Sequence, residues 1–143
     1  MIKTKRFRNE HKELLDIATK ISENLNIYVL SNNALTIKKL ISDLGSNLNV
    51  HLSIEDKAVY PKLLEHSSEH IKITAQNYIQ EMGHISEEVK RYKRKWDIAS
   101  KIQKNPDEFI RETNEILNTL IKRIDKEDNG LYDLIDDWET SNS

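Results

Sequence analysis

Four stretches of this chain carry apolar residues three and four positions apart, with almost nothing between them that makes a turn. The first runs Phe7, His11, Leu14, Ala18, Ile21, Leu25 and Tyr28. The second runs Ile37, Ile41, Leu44, Leu48, His51, Glu55, Val59 and Leu63. The third is Ile71, Ala75, Tyr78, Met82, Ile85, Val89, Tyr92, Trp96 and Ala99. The fourth is Ile116, Leu120, Ile124, Glu127, Leu131, Leu134 and Trp138. That spacing lines one face of an α-helix. Only 3 Gly and 2 Pro occur in 143 residues, which excludes a turn-rich all-β fold and glycine-rich phosphate loops. Helix starts are expected at Asn33, at Ser67-Ser68, and at Asn105-Pro106-Asp107-Glu108, where a cap, a first-turn proline and acids coincide. Pro61 inside the second stripe predicts a kink there. Four helices of roughly 25–33 residues with short joins predict an all-α, antiparallel up-down-up-down four-helix bundle, a single domain over 1–143.

Charge and composition narrow the function classes. There are 22 Lys+Arg against 24 Asp+Glu, a net charge of -2, so nothing general draws the chain to nucleic acid or to an anionic membrane. The segment Lys90 to Trp96 mixes bases with aromatic rings, but Tyr92 and Trp96 fall on the apolar stripe, so its lysines and arginines read as a solvated helix face. With no cysteine, thiolate zinc sites, iron–sulfur clusters and thiol nucleophiles are excluded. The stretch from Met1 to Arg8 has no apolar core of a secretory signal, and no run reaches the roughly 18 apolar residues of a membrane span. A cytoplasmic protein is expected.

The informative residues are the polar ones planted on the core faces. With the first turn centred near residue 32, His11 lies 21 positions below it, and His51 and Glu55 lie 19 and 23 below. At 1.5 Å per residue the three share one depth. With the third turn near residue 104, Arg123 and Glu127 are 19 and 23 positions away, at the same depth. An i, i+4 His/Glu pair presents two ligand-type side chains from one helix face. Tyr60, Tyr78 and Tyr132 read first as bundle-core aromatics, within reach of such a cluster as hydrogen-bond partners or, failing that, as ligands. His66 and His70 also have ligand spacing, but they sit at a helix turn about 20 Å along the axis from His51 and read as loop-end histidines.

The two halves resemble each other. Glu55-Asp56 with Tyr60 matches Glu127-Asp128 with Tyr132 at an offset of 72, which sets His51 against Arg123. Helices one and three align at an offset of 71, setting Phe7 on Tyr78 and His11 on Met82. The chain reads as a duplicated helical hairpin. His11, then His51-x-x-x-Glu55 with Tyr60-Pro61 just after, resembles the hemerythrin HHE cation-binding domain. That resemblance implies a bundle with histidines and bridging carboxylates around a non-haem diiron centre, and roles in oxygen binding, oxygen or nitric oxide sensing, and iron handling. The second half departs from the pattern. Arg123 and Met82 stand at the histidine positions; a guanidinium cannot ligate metal, and a thioether is a poor ligand for ferric iron. His84 lies two residues past Met82, roughly 200° around the helix, and would turn inward only through a π-bulge at Gly83. A subgroup of small bacterial hemerythrin-domain proteins is similar in carrying Arg-Ile-x-x-Glu here, as Arg123-Ile124 and Glu127 do.

The expectation is a depleted metal site with His11, His51, Glu55 and Glu127 as ligands, holding non-haem iron as one or two ions, with a diatomic gas as the ligand sensed. One rival is a metal-free interaction module in which Arg123 replaces the cation and the protein partner is unknown. A second rival is a diiron oxidase- or peroxidase-like enzyme with His84 recruited. No nucleophile–base pair or substrate motif points to catalysis otherwise.

Overall fold

The computed structural model describes residues 2–142, so the ends of the expected 1–143 domain, Met1 and Ser143, lie outside the described residues. Among the described residues the chain is helical throughout, with no strand. The helices are α1 (Thr4–Glu23), α2 (Ile27–Asn32), α3 (Ala34–Ile54), α4 (Tyr60–Leu64), α5 (Glu69–Met82), α6 (Ile85–Lys95), α7 (Ala99–Lys104), α8 (Pro106–Lys126) and α9 (Tyr132–Ser141). They form four antiparallel rods: α1, then α3 with α4, then α5 with α6, then α8 with α9. Contacts of α1 with α3, α3 with α6, α6 with α8 and α8 with α1 close the bundle. The short α2 and α7 touch each other and cover one end.

The rods are less continuous than the periodicity predicts. Chain entry into α2 is capped by the Asn26 side chain, which accepts the Val29 N–H at 2.9 Å. This re-phases the first stripe: Tyr28 is 77% exposed, and Leu30 fills the core instead. Ser68 caps α5 through the Ile71 N–H, as expected. Asn33 and Asn105 hold the cap positions, but neither side chain takes a backbone N–H. Asn33 accepts the Thr36 hydroxyl, and Asn105 donates to the Lys101 carbonyl. The third rod breaks at Gly83–His84 between α5 and α6.

The irregularity expected from Pro61 has another cause. Glu55–Val59 forms a π-helical turn, closed by the Tyr60 N–H on the Glu55 carbonyl. A second π turn, Glu127–Leu131, is closed by the Tyr132 N–H on the Glu127 carbonyl. The two turns are related by the repeat offset of 72, and the counterpart of Pro61 is Asp133, so proline is not required. Each turn inserts one residue, which brings Val59 with Tyr60, and Leu131 with Tyr132, onto the buried side. The extra residue also moves the end of the fourth stripe: Ile135 is buried, while the expected Leu134 and Trp138 are only half-buried. Earlier in the stripe, within regular α8, Leu117 is buried and the expected Ile116 half-buried.

Two apolar clusters fill the bundle. One, from Leu14 to Phe109 and Ile124, occupies the end covered by α2 and α7. The other gathers Phe7, Val59, Tyr60, Leu63, Ile71, Leu131, Tyr132 and Ile135. His11, His51, Glu55, Arg123 and Glu127 are buried between them.

The second π turn is pinned from outside. Tyr78 donates its hydroxyl to the Lys126 carbonyl at 3.1 Å, and Arg8 donates to the Asp128 carbonyl at 2.7 Å. The Tyr78 hydroxyl lies where a Cβ on Gly130 would be. The counterparts of this pair in the first half are Phe7 and Ala58, a ring without the hydroxyl and a residue with the methyl. Gly130→Ala is therefore expected to cost about 1–3 kcal/mol by overpacking, and Tyr78→Phe in the same chain should recover part of it. Thermal melts of the single and double variants check this; a Gly130→Ala protein as stable as wild type contradicts it.

Candidate metal centre

The structure brings all four sequence-predicted residues together. His11 comes from α1, His51 from α3, and Glu55 and Glu127 open the two π turns. One ligand atom from each lies within 4.8 Å of all the others, and all four side chains are buried. The Nε2 atoms of His11 and His51 are 2.9 Å apart. Glu55 Oε1 is 2.9 Å from His51 Nε2, and Glu127 Oε1 is 3.3 Å from His11 Nε2.

The outer nitrogens decide how the rings present themselves. His11 Nδ1 is 2.7 Å from Asp128 Oδ1, and His51 Nδ1 is 2.7 Å from Glu10 Oε1. A carboxylate only accepts, so each Nδ1 carries a proton and donates it outward. In the neutral rings both Nε2 lone pairs then face one point. A carboxylate behind a histidine is also the arrangement that orients a metal-ligating imidazole. Rings hold these histidines in place: His51 meets the edge of Phe7, and His11 stacks on Tyr132 at 5.8 Å.

Arg123 closes the other side. Its Nε donates to Glu127 Oε2 at 3.2 Å, its Nη1 to the Met82 carbonyl at 3.2 Å, and its Nη2 to Asp56 at 2.8 Å and Glu55 at 3.4 Å. Two phenols cross the bundle between halves. Tyr60 donates to Glu127 Oε2 at 2.6 Å, and Tyr132 donates to Glu55 Oε2. Tyr78, the third expected partner, stays outside, on the Lys126 carbonyl.

The two carboxylates are driven apart electrically. Burial pushes Glu55 up, but His11, His51 and Arg123 outweigh it and hold its pKa well below the usual carboxylate range. Burial and the nearby charge of Glu55 raise Glu127, and His11, Arg123 and Tyr60 only partly oppose them. Burial disfavours charging His11, yet Glu127 and Glu55 beside it lift its pKa to about 10. His51 is likewise raised, by Glu55 and Glu10 against burial. Metal-free, the site therefore keeps a proton on the inner face of His11 to offset its carboxylates, and a metal ion displaces it.

Glu127 Oε1 shows that the donor set fits a cation. It is buried, makes no well-formed hydrogen bond, and meets only His11 Nε2, at 3.3 Å, where two imidazole nitrogens converge. A metal ion taking the place of the His11 proton would be held by that same oxygen and nitrogen.

His84 does not join. Its side chain is 57% exposed and pairs with Glu88 at 3.2 Å on the outside of α6. The helix does break at Gly83, but as a turn rather than a π-bulge. His66 is half-buried against the edge of Trp138 and accepts the Ser68 N–H; His70 is exposed. Tyr92 and Trp96 are core residues, and Lys95 reaches out to Glu108 and Glu112.

Sequence reasoning missed Glu10, Asp56 and Asp128. Each is a chain neighbour of a predicted residue, and the Glu-Asp doublets at 55–56 and 127–128 were the available signal.

A family model described as the hemerythrin HHE cation-binding domain matches residues 3–135, nearly the whole chain. No curated protein and no solved structure matches the chain.

Removing His51 takes away one of two convergent nitrogens, whereas His84 contributes none. His51→Ala is expected to weaken divalent-metal binding by more than about 100-fold, with His84→Ala unchanged. Equilibrium dialysis against Fe(II) under anaerobic conditions reads both, and loss of metal with His84→Ala alone reverses the assignment.

Proposed function

The chain belongs to the hemerythrin HHE cation-binding domain family, and from that membership and the site's geometry we propose that it holds one non-haem iron ion through His11, His51, Glu55 and Glu127. The observation that carries this reading is the convergence, within 4.8 Å, of one buried ligand atom from each of the four residues, two of them imidazole nitrogens whose outer nitrogens are already held by carboxylates. Two imidazoles and two carboxylates are a donor set that suits iron. When bound there, ferrous iron supplies a redox-active centre with coordination positions for a diatomic gas.

The chain's own residues do the remaining work. Asp128 and Glu10 fix the tautomers and aim the rings. Tyr60 and Tyr132 each hold one oxygen, of Glu127 and of Glu55 respectively, and Glu127 Oε1 stays turned toward His11. Apolar layers above and below keep water away. We propose oxygen or nitric oxide sensing, or iron handling, in the cytoplasm as the use of such a site. No helix among the described residues is long and apolar enough to cross a membrane.

The metal-free module is the second reading, and one observation favours it: Arg123 already supplies a buried positive charge to Glu55, Asp56 and Glu127. The oxidase reading relied on His84, which faces solvent.

Protein reconstituted anaerobically with Fe(II) and desalted should retain about one iron per chain by elemental analysis. Adding a nitric oxide donor should then produce a visible absorption change that the zinc-loaded protein lacks. Retention of no metal favours the interaction module, and two irons per chain favours the oxidase reading.

A further inference from the structure

Internal repetition poses a question that the four candidate ligands leave open. The first half of the chain contributes His11, His51 and Glu55 around one point. The corresponding residues of the second half are Met82, Arg123 and Glu127. Of these only Glu127 can ligate a metal, so the half-site that the repeat would build around a second cation lacks its nitrogen donors.

A guanidinium stands there instead. The Arg123 side chain is 2% exposed, at the core of the bundle. Each of its nitrogens has a partner: Nε on Glu127, Nη1 on the Met82 carbonyl, and Nη2 on both Glu55 and Asp56. It also lies over the Tyr60 ring, 5.7 Å from its centroid. So Arg123 touches both buried glutamates at once, as a bridging cation would.

We propose that Arg123 is a permanent cation built into the second half-site, which offsets the charge of Glu55 and Glu127 and limits the centre to one metal ion. Arginine stays protonated at any accessible pH, so this charge cannot leave. It also divides the labour of Glu127. Oxygen Oε2 is taken by Arg123 and Tyr60, which leaves Oε1 turned toward His11. Arg123 is thus a positioning residue for the metal ligands as well as a counter-charge. The limit of one ion rests on the metal-binding reading above, whereas the counter-charge role does not require metal.

Two measurements test the proposal. In the first, metal-free proteins are melted. Arg123→Ala strands two buried carboxylates and should lower Tm by roughly 10 °C or more. Neutralising one of them in the same chain, as Arg123→Ala with Glu55→Gln, should restore most of that loss. This double variant keeps the test decisive even where Arg123→Ala alone does not fold. An Arg123→Ala protein that melts with wild type, or a double variant no more stable than Arg123→Ala, overturns the counter-charge role.

In the second measurement, Fe(II) or Mn(II) retained per chain is counted. Wild type should hold one ion, and Met82→His with Arg123→His should hold two. Two ions in wild type, or still one in the double-histidine variant, overturns the limit set by Arg123. If wild type and variant both retain none, the metal-binding reading and the one-ion limit fall together, and the melts alone then decide whether Arg123 is the fixed counter-charge.

Discussion

Burying charge in the middle of an apolar bundle is the constraint on which the rest of this structure depends. Removing a carboxylate or a guanidinium from water costs several kcal/mol per ion even after relaxation. The chain places His11, His51, Glu55, Arg123 and Glu127 in that position together. Such a layer persists only when nearly every polar atom is matched. The matching explains much of the surrounding sequence: Glu10 and Asp128 behind the histidines, Asp56 behind the arginine, and a phenol on each glutamate. The outer carboxylates are part-exposed, so they accept the inward hydrogen bonds while keeping some hydration.

The π turns follow from the same demand. In a regular α-helix, residues five apart point about 140° away from each other. Glu55 and Tyr60 are five apart, as are Glu127 and Tyr132, and all four are buried. Inserting one residue lets a single strip of helix offer both the carboxylate and the phenol that crosses to the other half's carboxylate. In the second turn the Lys126 and Asp128 carbonyls also accept from Tyr78 and Arg8. Gly130 stands where the Tyr78 hydroxyl needs room.

That geometry divides what could be read from the sequence from what could not. Apolar spacing alone located the bundle, and counting rise per residue placed His11, His51, Glu55, Arg123 and Glu127 at one depth. Both rest on regular helices; the stripe departs at Tyr28 and at Ile116, where Leu117 is buried instead, and the depth count holds as far as Glu55 and Glu127. Beyond those residues the inserted position shifts the face by one. The expected Leu134 therefore gives way to Ile135, and the irregularity near Pro61 belongs to a turn that the proline-free second half repeats. At Tyr28 the regular pattern failed for a local reason, the Asn26 cap that restarts the helix. Glu10, Asp56 and Asp128 escaped notice because a half-exposed acid beside a core residue looks like any surface acid until its partner is seen. The family resemblance drawn from His11, His51 and Glu55 holds over residues 3–135. It could not have supplied the hydrogen bonds of Arg123, which stands where the family pattern has a histidine.

The unequal halves have a chemical consequence. A centre built symmetrically by a duplicated hairpin would depend on two cations for its charge balance, and without them its carboxylates would repel in a medium of low dielectric. With one cation made of protein, Glu55 and Glu127 keep a counter-charge whether or not metal is present. Redox chemistry is narrowed by the same exchange, because a guanidinium neither gains nor loses an electron. In the proposed site, one iron beside a fixed charge would exchange one electron at a time, whereas a pair of metals can share two. The one-electron centre we propose is better matched to reporting the presence of a gas or of iron than to carrying dioxygen.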